Sequence, residues 1–238
     1  MLSFFKNTLI FALLTVLTQV GGLIYLAYKP IGRILKKRFQ NIFARLFFKG
    51  LTFSIMYLVI VTTVVPIFAI PFGRVPMPMF ADEEIPIKPR TIWTCLTNRQ
   101  YVKLELRTDI SRISKEFAQK YPGTEVMYLD GNFPFLDGFP LIPHLSHNDG
   151  KKLDLEFFYK NAEGKSVNDS PSWCGYGVFE APKKGETDQP DICKKRGYRQ
   201  YDVTQYLTSQ KRKSEFEFDE TKTADFIKSC ASSPFIKK

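Results

Sequence analysis

The order of apolar and polar positions splits this chain into an apolar front and a mixed remainder. Residues 7–28 (NTLIFALLTVLTQVGGLIYLAY) and 51–72 (LTFSIMYLVIVTTVVPIFAIPF) hold no charged side chain. A helix needs about 20 apolar residues to cross a bilayer, so the pattern predicts two membrane-spanning helices. Pro66 and Pro71 fall toward the end of the second stretch, where a kink or an early exit is tolerated. The first stretch is long for the apolar part of a cleaved signal peptide and lacks an A-x-A-like site before Lys29, which favours an anchor. Between the two, residues 29–49 carry seven Lys/Arg and no acid, and short basic loops stay on the cytoplasmic side. The expected topology is a two-pass inner-membrane protein that starts outside and delivers everything after Phe72 to the periplasm or the exterior. Ile31, Ile34, Leu35, Ile42, Leu46 and Phe47 recur in the basic loop at helical spacing. That spacing suits a helix on the anionic inner leaflet and a plain topology-setting loop equally well.

After the membrane anchor, residues 1–72, the pattern changes. Residues 73–92 are rich in proline and read as an extended linker to an exterior domain over 93–238. A strand is predicted over 101–106. A helix should follow from Asp109 or Ser111 to about Lys120, burying Ile110, Ile113 and Phe117. Pro122-Gly123 ends it, and 125–129 reads as the next strand. Residues 130–150 form a loop whose Phe133, Phe135, Phe139 and Leu141 are expected to fill the core. Residues 152–159 (KLDLEFFY) alternate, placing Leu153, Leu155 and Phe157 on one face and Asp154 and Glu156 on the other. Residues 161–164 are a turn candidate, 183–200 an exposed loop, and 220–230 a helix. The fold class expected is α+β: two transmembrane helices, then an exterior domain with a small antiparallel sheet flanked by helices.

Charge narrows the class of partner. Net charge is +10, but residues 1–72 hold 8 Lys/Arg and no acid, leaving 26 of the 34 basic residues against all 24 acidic ones in the remainder. The basic excess belongs to the anchor and so to the lipid bilayer. A nucleic-acid footprint would be a basic face on the folded domain, and no nucleic acid is expected. Cys95, Cys174, Cys193 and Cys230 all follow the second apolar stretch. One or two disulfides would suit an oxidising exterior, with three full pairings open. No C-x-x-C pair marks a structural zinc site.

The chemistry concentrates in residues 144–154, HLSHNDGKKLD. His147 and Asp154 flank an Asn148-Asp149-Gly150 turn that lets both point into one cleft. A calcium loop fails, since its first and third ligand positions would be Leu145 and His147. The pattern H-x-S-H-x-x-G-x-x-x-D, followed by an alternating strand, resembles the signature of penicillin-insensitive murein endopeptidases and related D-Ala-D-Ala peptidases. That zinc-peptidase family shares its fold with the Hedgehog signalling domain. The resemblance covers mainly residues 125–160. It implies zinc bound by His147 and Asp154, and a catalytic role for His144. It implies peptidoglycan peptides as the partner.

In that family a third ligand comes from a late H-x-H pair. This chain has two His in all, at 144 and 147, so an incomplete zinc site and no peptidase activity are expected. Three readings stay open: a fragment of a longer zinc peptidase, an inactive wall-binding module, and an unrelated structural or interaction protein of the inner membrane.

Overall fold

A computed structural model describes residues 2–198, 206 and 208–236; Arg199 and Gln200, at the end of the predicted 183–200 loop, lie outside the described residues. The architecture is mixed α+β. Helices are α1 (Leu2–Thr18), α2 (Gly21–Arg38), α3 (Ile42–Phe72), α4 (Ile92–Leu96), α5 (Leu104–Lys120), α6 (Gln189–Lys195) and α7 (Glu220–Ala231). Strands are β1 (Val75–Pro76), β2 (Ile87–Pro89), β3 (Tyr101–Val102), β4 (Val126–Tyr128), β5 (Tyr159–Asn161), β6 (Ser166–Val167) and β7 (Phe216–Phe218). β1 pairs with β3 antiparallel, β2 with β4 in parallel, and β6-β5-β7 form an antiparallel sheet. The parallel pair departs from the purely antiparallel sheet expected.

The chain forms two compact units, one of residues 1–80, 92–110 and 130–154, the other of 81–91, 111–129 and 155–238. The first contains the apolar front, and there the expectation of two spanning helices fails. Among the described residues one helix, Ile42–Phe72, is long and apolar enough to cross a membrane. The predicted span 7–28 breaks at Gln19, whose φ is 64°, and α2 folds back along α1. Tyr25 Oη donates to Asn7 Oδ1 at 2.8 Å. A Cβ on Gly22 would overlap Thr15 Oγ1 and crowd the Phe11 carbonyl, so the double glycine permits the close approach. The tip is held by its own polar groups: Thr18 Oγ1 accepts from Gly21 N–H at 2.8 Å and Gln19 Oε1 from Phe135 N–H at 2.9 Å. Residues 29–49 are helical on both sides of a break at 39–41, where Asn41 Oδ1 caps α3.

Inside α3 the backbone widens to a π-turn over Ile60–Val64, one turn before Pro66. Proline donates no amide and crowds the preceding turn, and a π-turn is one way a helix absorbs this. Thr62 and Thr63 hydroxyls donate back to the carbonyls of Leu58 and Val59 at 2.7 and 2.6 Å. The core of this unit is Val20, Ile24, Val61, Val65, Ala69 and Tyr101.

Residues 73–92, expected as a linker, supply β1 and β2 and the buried side chains of Arg74, Met77 and Ile87. The strand predicted over 101–106 stops after Val102, because α5 begins at Leu104. In the second unit, the rings of Phe117, Phe158 and Phe226 meet with centroids 4.9–5.4 Å apart. The alternating strand predicted over 152–159 does not form: Leu155 makes an isolated bridge to Tyr128 and β5 begins only at Tyr159, with Glu156 and Phe158 buried and Phe157 exposed. Glu156 tolerates burial by accepting the Ser170 hydroxyl and facing Arg90 Nε at 3.5 Å; desolvation nevertheless raises its pKa. Among the described residues no disulfide joins Cys95, Cys174, Cys193 or Cys230, so the one or two bridges expected are not formed.

Candidate metal centre

The site lies in the first unit, on the loop that joins β4 to Asp154. Its scaffold is Asn132, which is fully buried and pairs as a β-bridge with Tyr101. The Asn132 amide nitrogen donates to the carbonyls of Tyr101 and Lys152 at 3.2 and 2.8 Å, and its oxygen accepts from Gly150 N–H at 3.0 Å. One side chain thus ties the far end of the loop to β3. Asp154 N–H donates to Asp130 O at 2.8 Å and Gly138 N–H to Asn148 O at 2.8 Å, which closes the loop on itself.

Those bonds bring His144, His147 and Asp154 together. Each offers one ligand atom, and the three atoms lie within 4.8 Å of one another; among the described residues this is the group of His, Cys, Asp and Glu able to hold a metal ion. His147 Nε2 is 3.1 Å from Asp154 Oδ1, and His144 Nδ1 is 3.4 Å from Asp154 Oδ2. The two contacts run to different oxygens of Asp154, so the one carboxylate meets both imidazoles.

The outer nitrogens are also engaged. His147 Nδ1–H donates to the Gly131 carbonyl at 2.8 Å, which leaves Nε2 as the nitrogen facing Asp154. His144 turns Nε2 toward Asp130 Oδ2 at 3.7 Å, and Asp130 is held by Arg99, Nε to Oδ1 at 2.8 Å and Nη2 to Oδ2 at 2.9 Å. Imidazole–acceptor contacts of this kind orient metal ligands. The side chain of His147 is 5% exposed, whereas those of His144 and Asp154 are 27% and 32% exposed, so the cluster opens to solvent on one side.

Electrostatics separates the two imidazoles. Burial disfavours charge on His147, but its hydrogen bond to Asp154, the Asp154 charge and the Gly131 carbonyl outweigh this and raise its pKa. For His144 burial prevails over the attraction of Asp130 and Asp154, with His147 and Arg99 adding to it, and the pKa falls.

The structure therefore groups all three residues singled out in the sequence, with a nitrogen of His144 near enough to Asp154 to be counted among the candidate donors. Zinc accepts two imidazoles and a carboxylate as a catalytic ligand set, so the donors present fit the ion. Sequence reasoning missed Asp130, Arg99 and Asn132. The signal for the first two was weak: one acid two residues after a strand and one base two residues before another.

The class these observations define is an α+β protein with a long apolar helix and a His2Asp cluster on a pinned loop. No family model, curated protein or solved structure matches the chain.

Proposed function

We propose that this chain is a membrane-anchored, zinc-peptidase-like protein that binds peptidoglycan peptides at a metal held by His144, His147 and Asp154. The observation that carries the metal reading is the convergence of the three donors, with the outer nitrogen of each imidazole facing an acceptor. The choice of peptidoglycan peptides rests on the resemblance of residues 144–154 to the murein-peptidase signature.

A zinc ion bound there would supply a Lewis acid and a water of lowered pKa. The chain's own contribution is positional. His147 offers Nε2 because Nδ1 is committed to the Gly131 carbonyl, and the exposed edge of His144 and Asp154 is where a peptide carbonyl could approach. Binding without turnover is the reading we favour over hydrolysis, because Asp130, the carboxylate beside the donors, is engaged by Arg99 and His144. A base for hydrolysis would have to give up those partners.

The membrane reading follows from α3 and from the basic helix ends beside it. Lys29, Arg33, Lys36, Lys37, Arg38, Arg45 and Lys49 place that end of the helices on the cytoplasmic side. α3 then carries the chain across once, so that the metal loop is periplasmic or extracellular. The α1–α2 hairpin enters from the cytoplasmic side and turns back at Gln19.

Calorimetric titration of the full chain in detergent micelles with Zn2+ tests the site. One equivalent should bind, and His147→Ala or Asp154→Ala should abolish it; equal binding by both variants would remove the metal reading. Incubation of the zinc-loaded chain with cross-linked muropeptides should give a complex and no product. Cleavage abolished by Asp154→Ala would convert the binding module into a peptidase.

A further inference from the structure

We infer that Arg74 is the positioning residue of the metal loop, locking residues 137–150 to the C-terminal end of the apolar helix α3. The inference concerns the loop itself, and its consequence for zinc rests on the metal reading above.

Arg74 follows the left-handed Gly73 that ends α3, and its own N–H donates to Ala69 O at 3.1 Å. The backbone at Arg74 is therefore fixed by the last turns of the helix. Its side chain is 1% exposed, which is unusual for a guanidinium so near a helix end. Nη2 pairs with Asp137 at the start of the loop. At the other end of the loop, the guanidinium fills the space over Gly150: a Cβ there would overlap Arg74 Nη1, and Gly150 has φ +78°. Any side chain at 150 would be strained by the backbone and would also expel the arginine.

One guanidinium thus touches both ends of the segment that carries His144 and His147. The arrangement has an energetic cost. Arg74 Nε and Nη1 are buried without hydrogen-bond partners, and Asp137, its ion-pair partner, is itself two-thirds exposed. Burial lowers the Arg74 pKa despite the opposing charges of Asp137 and Asp149. A buried cation so incompletely paired contributes little to stability, and an apolar residue of similar size is often tolerated in such a place. Its value is then geometric, in holding the loop.

Hydrogen exchange on the full chain in detergent micelles decides the matter. In Arg74→Met the amides of Gly138, His147 and Gly150, which are hydrogen-bonded within the site, should exchange at least tenfold faster. The Thr223 amide of α7, bonded to Asp219 O, should be unchanged. Arg74→Lys, which keeps the charge and loses the second nitrogen, should recover part of the protection. Gly150→Ala provides an independent route should Arg74→Met not fold: it displaces the guanidinium without deleting it and should loosen the same amides.

Wild-type exchange at those three amides in either folded variant overturns the inference, as does a rise shared equally by Thr223. Zn2+ affinity should fall roughly 10–100-fold in Arg74→Met, the range typical of groups that orient ligands. Unchanged affinity with a loosened loop would also overturn the positioning role. A wild-type chain that binds no zinc, with the loop still loosened in Arg74→Met, would remove the metal reading and leave the lock standing.

Discussion

At the scale of single residues, the loop is governed by a few buried polar side chains whose partners lie far away in the chain. Asn132 is the clearest case. Replacing it with Leu keeps roughly the branched shape but strands the Gly150 amide and the Lys152 carbonyl, while the Tyr101 carbonyl keeps the backbone N–H of residue 132. Stranded buried groups cost about 1–3 kcal/mol each, and even one such loss would be visible as a lowered midpoint in denaturant unfolding. An unchanged midpoint would mean that water replaces the amide. In the second unit, Asp169 accepts from Arg90 Nη2 at 2.6 Å and from Arg212 Nη2 at 2.8 Å. Burial would raise its pKa, but those two arginines and the Ser170 amide pull it from 3.8 to about 2. A depressed folded-state pKa stabilises the protein at pH values above the unfolded pKa, and the benefit is lost as pH falls through the folded one. Asp169→Asn should therefore lower the melting temperature at pH 5 and above, with the gap to wild type closing between pH 4 and pH 2. A gap independent of pH would show that the carboxylate charge is immaterial there.

At the scale of elements, two contacts carry most of the specificity. The α1–α2 hairpin depends on Gly22, since no other residue lets the backbone sit against Phe11 and Thr15. Cysteines placed at Asn7 and Tyr25, whose side-chain tips meet, should be bridged by a short bifunctional thiol cross-linker, and Gly22→Leu should abolish that cross-link. Persistence of the bond would mean the hairpin closes without the glycine. α7 is held by Phe226 against Phe117 and Phe158, and it is capped by Asp219, whose carboxylate accepts from Lys222 N–H at 3.1 Å. Phe226→Ala removes the centre of that cluster and should cost about 3–5 kcal/mol by loss of burial and formation of a cavity, again read from denaturant unfolding. α7 was legible in the sequence nearly to the residue, because an Asp cap and an amphipathic run are local signals. The start of α5 was not, because Tyr101 and Val102 read as a strand and masked the helix beginning at Leu104.

At the scale of the whole molecule, the question is how often the chain crosses the bilayer. A two-pass chain would put its first helix start and its basic segment on opposite sides. With a folded-back hairpin and α3 as the single crossing, Lys6 would lie on the same side as Lys36, and residues past Phe72 opposite. Cysteines introduced at Lys6, Lys36 and Lys184, in a background lacking the native four, should sort accordingly with a membrane-impermeant maleimide. Lys6 and Lys36 should label from one face and Lys184 from the other. Labelling of Lys6 together with Lys184 would restore the two-pass topology.

Local chemistry along the chain was enough to dictate one set of features. These are the apolar front with its basic segment, the α+β character, the turn at Gly164, the helix over α7, and the grouping of His147 and Asp154 around an Asn-Asp-Gly turn. Each rests on side chains within a few residues of one another, where periodicity and turn preference act directly. Tertiary structure alone decided the rest. Whether 7–28 crosses or turns back depended on two glycines finding a partner surface on α1, and hydropathy is blind to that. Glu156 lies buried because Arg90 and Ser170, distant in the chain, compensate it. His144 faces Asp154 with Asp130 and Arg99 behind it, while Asn132 and Arg74 contact the loop from residues that no local pattern connects to it. A buried polar group is stable only where its partner sits, and the partner's position is a property of the folded chain.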